Sequence, residues 1–112
     1  MKANQLKPLF LAGIAVILFA TALPLSADVA AGKAAFDKTC KSCHGADGKG
    51  NAALAKMMKA ELRPLGSKEV QAKTDAELSK DITEGTGKMK GVKTLAASDV
   101  KSVIEFVRTL KN

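Results

Sequence analysis

Tryptophan and tyrosine are absent from the 112 residues, and phenylalanine occurs only four times. Without aromatics interleaved among its basic residues, the chain has no stacking platform for nucleic-acid bases, so nucleic acid is not an expected partner. No stretch alternates β-branched and polar residues, which leaves no strand in the sequence pattern and points to an all-α chain. One histidine and two cysteines are too few for a four-ligand structural zinc site. Acidic residues are also scarce, 11 against 18 lysines and arginines, for a net charge of +7.

The first 27 residues have the composition of a secretory signal. Lys2 and Lys7 give a basic start, and Leu9 to Leu25 runs uncharged. Leu25-Ser26-Ala27 supplies a cleavage site, after Ala27, so the expected domains are a leader at 1–27 and a folded unit at 28–112. A retained membrane anchor is the alternative for the apolar run. Pro24 and the small residues after it favour cleavage, so no permanent anchor is expected, and export points to the periplasm. Loss of Lys2 and Lys7 takes the net charge from +7 to +5, a basic excess that suits acidic partners and steers their encounter. The remaining 85 residues make one small domain, with a thin core that needs additional apolar bulk.

Both cysteines and the histidine fall within Cys40-Lys41-Ser42-Cys43-His44. This is the spacing used for covalent attachment of a c-type haem. On a helical turn, positions three and four apart share a face, so Cys40, Cys43 and His44 can address one flat cofactor. The two thiols would add to the haem vinyl groups as thioethers, with His44 as the proximal iron ligand. A thioredoxin-like redox pair would need a strand-helix-strand setting that the pattern does not offer. A disulfide between cysteines three apart would close a tight, strained ring.

Three helices are expected in residues 28–112. The first, about 29–41, places Gly32 and Phe36 on one face and delivers Cys40. The second begins at Thr74, with Glu77 completing a capping box and Leu78 and Ile82 on one face, and ends at Gly85. The third opens at Ser98 as N-cap, with Asp99 and Lys111 complementing the helix dipole. Its apolar stripe is Val100, Val103, Ile104, Val107 and Leu110, flanked by Phe106. A shorter helix is expected at 52–59. Glycine-rich loops cover 44–51 and 85–91, where backbone can approach a flat cofactor closely.

The haem motif beside the first helix, the Gly85-Thr86-Gly87-Lys88-Met89-Lys90-Gly91 loop and the C-terminal amphipathic helix together resemble a small class I cytochrome c. The resemblance covers nearly all of residues 28–112. It implies a small cytochrome c fold, three to four helices around one covalently attached haem c. By the same resemblance the iron lies between His44 and Met89. Gly32, Phe36 and Phe106 match the family's contact between first and last helices. Pro64 corresponds to a proline whose carbonyl orients the proximal histidine, and Arg63 is a candidate partner for a haem propionate. The chain departs from the family pattern in having Lys90 after Met89, where many relatives have proline.

Met57 and Met58 are the other sulfur ligands available after the leader. They sit in a helical stretch with Ala53 and Leu54, where methionine fills core gaps, whereas Met89 lies in a loop with no other apolar residue. A thioether opposite imidazole raises the potential and keeps both axial positions filled. The implied function is single-electron transport between iron(III) and iron(II) by an exported, monomeric protein that is not an enzyme. Acidic redox partner proteins would dock near the haem edge, on Lys41, Lys49, Lys88, Lys90 and Lys93. The alternatives are a haem enzyme or gas sensor with an open or labile sixth position, or a haem subunit of a larger oxidoreductase. No second histidine is present to act as a distal acid-base group.

Overall fold

The computed structural model describes residues 27–112, together with residues 13 and 15–17. The leader expected at 1–27 therefore lies almost entirely outside the described residues, and the expected cleavage bond, Ala27–Asp28, falls at the start of the first described helix. Among the described residues, no helix is long and apolar enough to cross a membrane.

Six helices and one two-residue strand pair make up the described chain. Helix α1, Ala27–Thr39, has Asp28 in its first turn and Lys38 in its last, both matching the helix dipole. Lys33 and Asp37 pair one turn apart at 2.8 Å. Helix α6, Ala97–Thr109, returns across α1 and carries most of the buried residues: Val100, Val103, Ile104, Phe106 and Val107. The crossing is close because Gly32 has no side chain. A Cβ there would lie 1.9 Å from the Ser102 carbonyl oxygen. Phe36 and Val103, each 1% exposed, fill the contact, and the Phe36 and Phe106 rings meet at 5.1 Å, tilted by 58°. Gly32, Phe36 and Phe106 thus take the places expected of them.

Helix α5, Asp75–Glu84, starts with the expected capping box. The Thr74 hydroxyl accepts from the Glu77 N–H at 3.2 Å, and the Glu77 carboxylate accepts from the Thr74 N–H at 2.7 Å. Leu78 is buried against Val100 and Ile104 of α6, with Ile82 alongside. The helix stops at Gly85, whose φ of +85° suits glycine.

Three short helices lie between: α2, Lys41–His44; α3, Ala52–Met58; and α4, Lys68–Gln71. Helix α4 is absent from the sequence pattern because four residues show no periodicity, although its Ser67 cap, accepting from the Val70 N–H at 3.4 Å, is a typical start signal. Two further expectations need correction. Ser98 is not the N-cap of α6: the helix begins earlier, with Ala96 extended at φ −65°, ψ 156° and its carbonyl accepting from Val100 at 3.0 Å. Lys111 lies beyond the helix, and Arg108 is the basic residue of its last turn. Strand structure is also present. Gly85–Thr86 (β1) pairs antiparallel with Met89–Lys90 (β2), too short a ladder to leave any alternation in sequence.

Candidate haem site

Cys40 belongs to both the core and the site. Its N–H continues α1 by donating to the Phe36 carbonyl at 2.8 Å, and its carbonyl accepts from Cys43 at 3.2 Å and His44 at 2.9 Å. One helical turn therefore carries Cys40, Cys43 and His44 together, as their spacing predicts. Both cysteines are free thiols. Cys40 packs with Phe36, Val103 and Phe106, and this burial pushes its thiol pKa up, against its hydrogen bond with the Thr39 hydroxyl. Burial also lowers the pKa of His44, which favours the neutral imidazole that binds metals. The His44 Nδ1 is buried with no hydrogen-bond partner. The expected bond from it to the Pro64 carbonyl is therefore not made here. That carbonyl accepts from the Ser67 N–H at 3.0 Å, in the turn leading into α4.

The loop after His44 folds back onto the attachment turn. Gly50 donates to the His44 carbonyl at 2.7 Å and Asn51 to the Cys43 carbonyl at 2.8 Å. The Asn51 side chain also joins two helices: its Nδ2 donates to the Ser42 carbonyl at 3.3 Å, and its Oδ1 caps α3 by accepting from Leu54 at 3.2 Å. Gly48, at φ +73°, lets the loop lie against Leu65 and Leu110, and a Cβ there would stand 2.7 Å from the Leu110 side chain. The Leu65 N–H donates to the Gly48 carbonyl at 2.8 Å. The attachment turn is thereby fixed at one end to α1 and, through its loop, to the end of α6.

Met89 is half-buried on a hairpin. Residues Gly87 and Lys88 form the two-residue turn, with Gly87 at φ +55° in the position where a type II′ turn calls for glycine. Gly85 and Gly91 let the hairpin close on itself and on α5. A Cβ on Gly85 would lie 2.5 Å from the Met89 carbonyl, and one on Gly91 would lie 2.4 Å from the Thr83 carbonyl. Val92 then donates to Ile82 at 2.7 Å.

Met57 and Met58 do not fill the core: they are 74% and 41% exposed, on a helix with no buried residue. Helix α3 is held by polar bonds at its ends instead of by packing, so helical spacing alone misassigned them. Arg63 is exposed, 3.8 Å from Glu61. Lys41, Lys49, Lys88, Lys90 and Lys93 are all exposed. The positioning roles of Asn51, Lys88 and Gln71 were not expected from the sequence, where Lys88 figured only as a docking lysine. The Gln71 Nε2 donates to the carbonyls of Leu65 at 2.8 Å and Val107 at 3.0 Å, tying α4 to α6. Asn51 precedes a helix and carried a cap signal; the other two act across the fold and left none.

A neutral imidazole with an orphaned buried nitrogen, two unpaired thiols on the same turn and a thioether on a glycine-built hairpin are the donors that a covalently attached haem uses. They do not suit a bare metal ion. Among the described residues, no three of His, Cys, Asp and Glu come together to hold one. The family model of cytochrome c matches residues 29–111. The chain belongs to the cytochrome c family. A solved structure, the KustC0563 c-type cytochrome, is similar, with 31% identity over 72% of this chain and 98% of that one, at a TM-score of 0.61. No curated protein matches the chain. Family membership implies covalently bound haem c and haem-based electron transfer for this cytochrome, and the all-α cytochrome c fold is as expected.

Proposed function

We propose that this cytochrome is an exported carrier of single electrons, with one haem c bound through Cys40 and Cys43 and axial ligands His44 and Met89. When bound, the haem supplies a reversible one-electron couple at iron. Every other contribution comes from the chain. Cys40 and Cys43 fix the cofactor to the α1–α2 junction, where Cys40 is already part of the core. The His44 imidazole, whose pKa burial lowers, would offer a nitrogen to the metal. Met89 would supply the second protein donor, a thioether, which favours the reduced state of a bound haem. With His44 and Met89 both as protein donors, a bound haem would need little rearrangement on oxidation and reduction and would offer no open position for a substrate. Exposed Lys41, Lys49, Lys90 and Lys93 offer acidic redox partners a docking surface, for which electron-transfer rates fall as salt rises. Arg63 is the candidate partner for a propionate.

The observation that carries the reading is the pairing of the Cys40–His44 turn with a methionine presented by its own hairpin, since a haem enzyme or sensor would gain from an open position there. An intact-mass measurement on the denatured exported protein tests the cofactor claim. It should find a chain beginning at Asp28 with one haem attached, and a potentiometric titration should then follow a single one-electron wave. A haem-free mass, or a couple that changes with added oxygen or carbon monoxide, would refute the proposal.

A further inference from the structure

Lys88 makes a contact that its place in a glycine-rich turn does not announce. Its Nζ donates to the carbonyls of Met58 at 2.8 Å and Lys59 at 2.9 Å, 30 and 29 residues away. These carbonyls are available for a structural reason. Helix α3 ends with Lys59 in the left-handed region, φ +49°, and the N–H groups there satisfy only the carbonyls of Ala55 and Lys56. The last carbonyls of the helix are left facing outward, and helix C-termini accept cations at such groups. Helix α3 has no buried residue of its own. Asn51 fixes its N-terminal end and Lys88 its C-terminal end, which closes a path from the attachment turn, through α3, to the hairpin bearing Met89.

We infer that Lys88 is a positioning residue for the sixth ligand, a latch that holds the Met89 hairpin against α3. The inference rests on the reading of Met89 as an iron ligand. Among the described residues the hairpin is held by its two-residue ladder, by the Gly85 N–H donating to the Asp81 carbonyl of α5, by the close approach of Gly91 to α5 and by the bond from Val92 to Ile82. Two charge-assisted bonds from the neighbouring residue are a large addition to so short an element. Loss of the latch should let the hairpin open more often, and the sulfur should leave the metal more often with it.

The test compares Lys88→Ala, Lys88→Arg and Lys90→Ala in the haem-loaded protein. Lys90→Ala removes the same charge from the same hairpin without touching the latch, and Lys88→Arg keeps donors that can reach the two carbonyls. Two readouts are taken: the rate at which added imidazole displaces the sulfur in the oxidised protein, and hydrogen exchange at the amides of the hairpin and Val92. Lys88→Ala should speed both about three- to tenfold, the scale of one or two exposed hydrogen bonds, with the sulfur-to-iron band weakened. The arginine variant and Lys90→Ala should stay within about twofold of the parent. Equal effects of Lys88→Ala and Lys90→Ala would overturn the latch and leave only charge. A parent protein that lacks the sulfur-to-iron band would instead refute Met89 ligation. In that case, unchanged exchange in Lys88→Ala would refute the latch separately, and raised exchange would retain it as a tie between hairpin and α3.

Discussion

The α1–α6 crossing and the segment carrying the two proposed axial ligands are built by opposite means. At the crossing, Gly32, Phe36, Val103 and Phe106 pack with almost no exposure, and shape alone fixes the geometry. Around the ligands, helices α2 and α3 have no buried residues, and single polar side chains such as Asn51 and Lys88 hold the pieces. Apolar packing is non-directional but cumulative, whereas an exposed hydrogen bond contributes little net stability and much geometry. One region supplies stability to the fold, and the other sets positions and leaves surface for a cofactor to cover.

The largest effect should come from removing the cofactor's attachment. A Cys40→Ser, Cys43→Ser variant should be largely unfolded, because the haem stabilises only the state that binds it and the remaining core is small. Circular dichroism would check this, and a cooperative melt without haem would show that the crossing suffices alone. Next in size is Gly32→Ala. Its Cβ would stand 1.9 Å from the Ser102 carbonyl, and such overpacking costs about 1–3 kcal/mol. That corresponds to a fall in melting temperature of roughly 10 °C for a domain of this size, with the haem spectrum little altered in the folded fraction.

Most of the crossing was legible in the sequence, and much of the ligand-bearing segment was not. Gly32, Phe36 and the apolar stripe of α6 follow helical period, so spacing alone put them on facing surfaces. The Thr74 and Glu77 cap was legible because both partners are local. Cys40, Cys43 and His44 were legible because three rare residues share one turn. Lys88 and Gln71 act on carbonyls far away in sequence, and nothing local marks a lysine that will reach a helix end. Met57 and Met58 show the reverse failure. Their spacing suggested a core, but none of the described elements buries a residue of α3.

Arg108 offers an intermediate case, since it belongs to α6 yet works by polar bonds. It donates to the carbonyls of Gln71 at 2.9 Å and Lys73 at 2.6 Å, and to the Asp75 carboxylate at 2.8 Å. Arg108→Ala should cost about 1–2 kcal/mol, since two carbonyls lose a charged donor in a half-exposed site. Denaturant unfolding would measure it. A change below a few tenths would mean that water replaces the arginine fully.

The smallest effect concerns pH. Backbone and hydroxyl hydrogen bonds from Thr74 hold the Glu77 carboxyl below its ordinary value of 4.5. A carboxyl lowered in the folded state adds stability above its unfolded pKa and loses it as pH falls through the folded value. The parent should therefore exceed Glu77→Gln in stability near neutrality, and the gap should close on acidification below about 4.5. A gap independent of pH would assign the benefit to the hydrogen bonds of either side chain and not to the charge.

The central claim, that His44 and Met89 close both sides of the iron, is tested most directly by the optical spectrum of the purified protein, oxidised and reduced, before and after carbon monoxide. The account predicts a low-spin spectrum with the weak red band of sulfur-to-iron coordination, indifferent to carbon monoxide in the parent and lost in Met89→Ala. High-spin iron that binds carbon monoxide readily in the parent would contradict it and make an open-site enzyme or sensor the better reading.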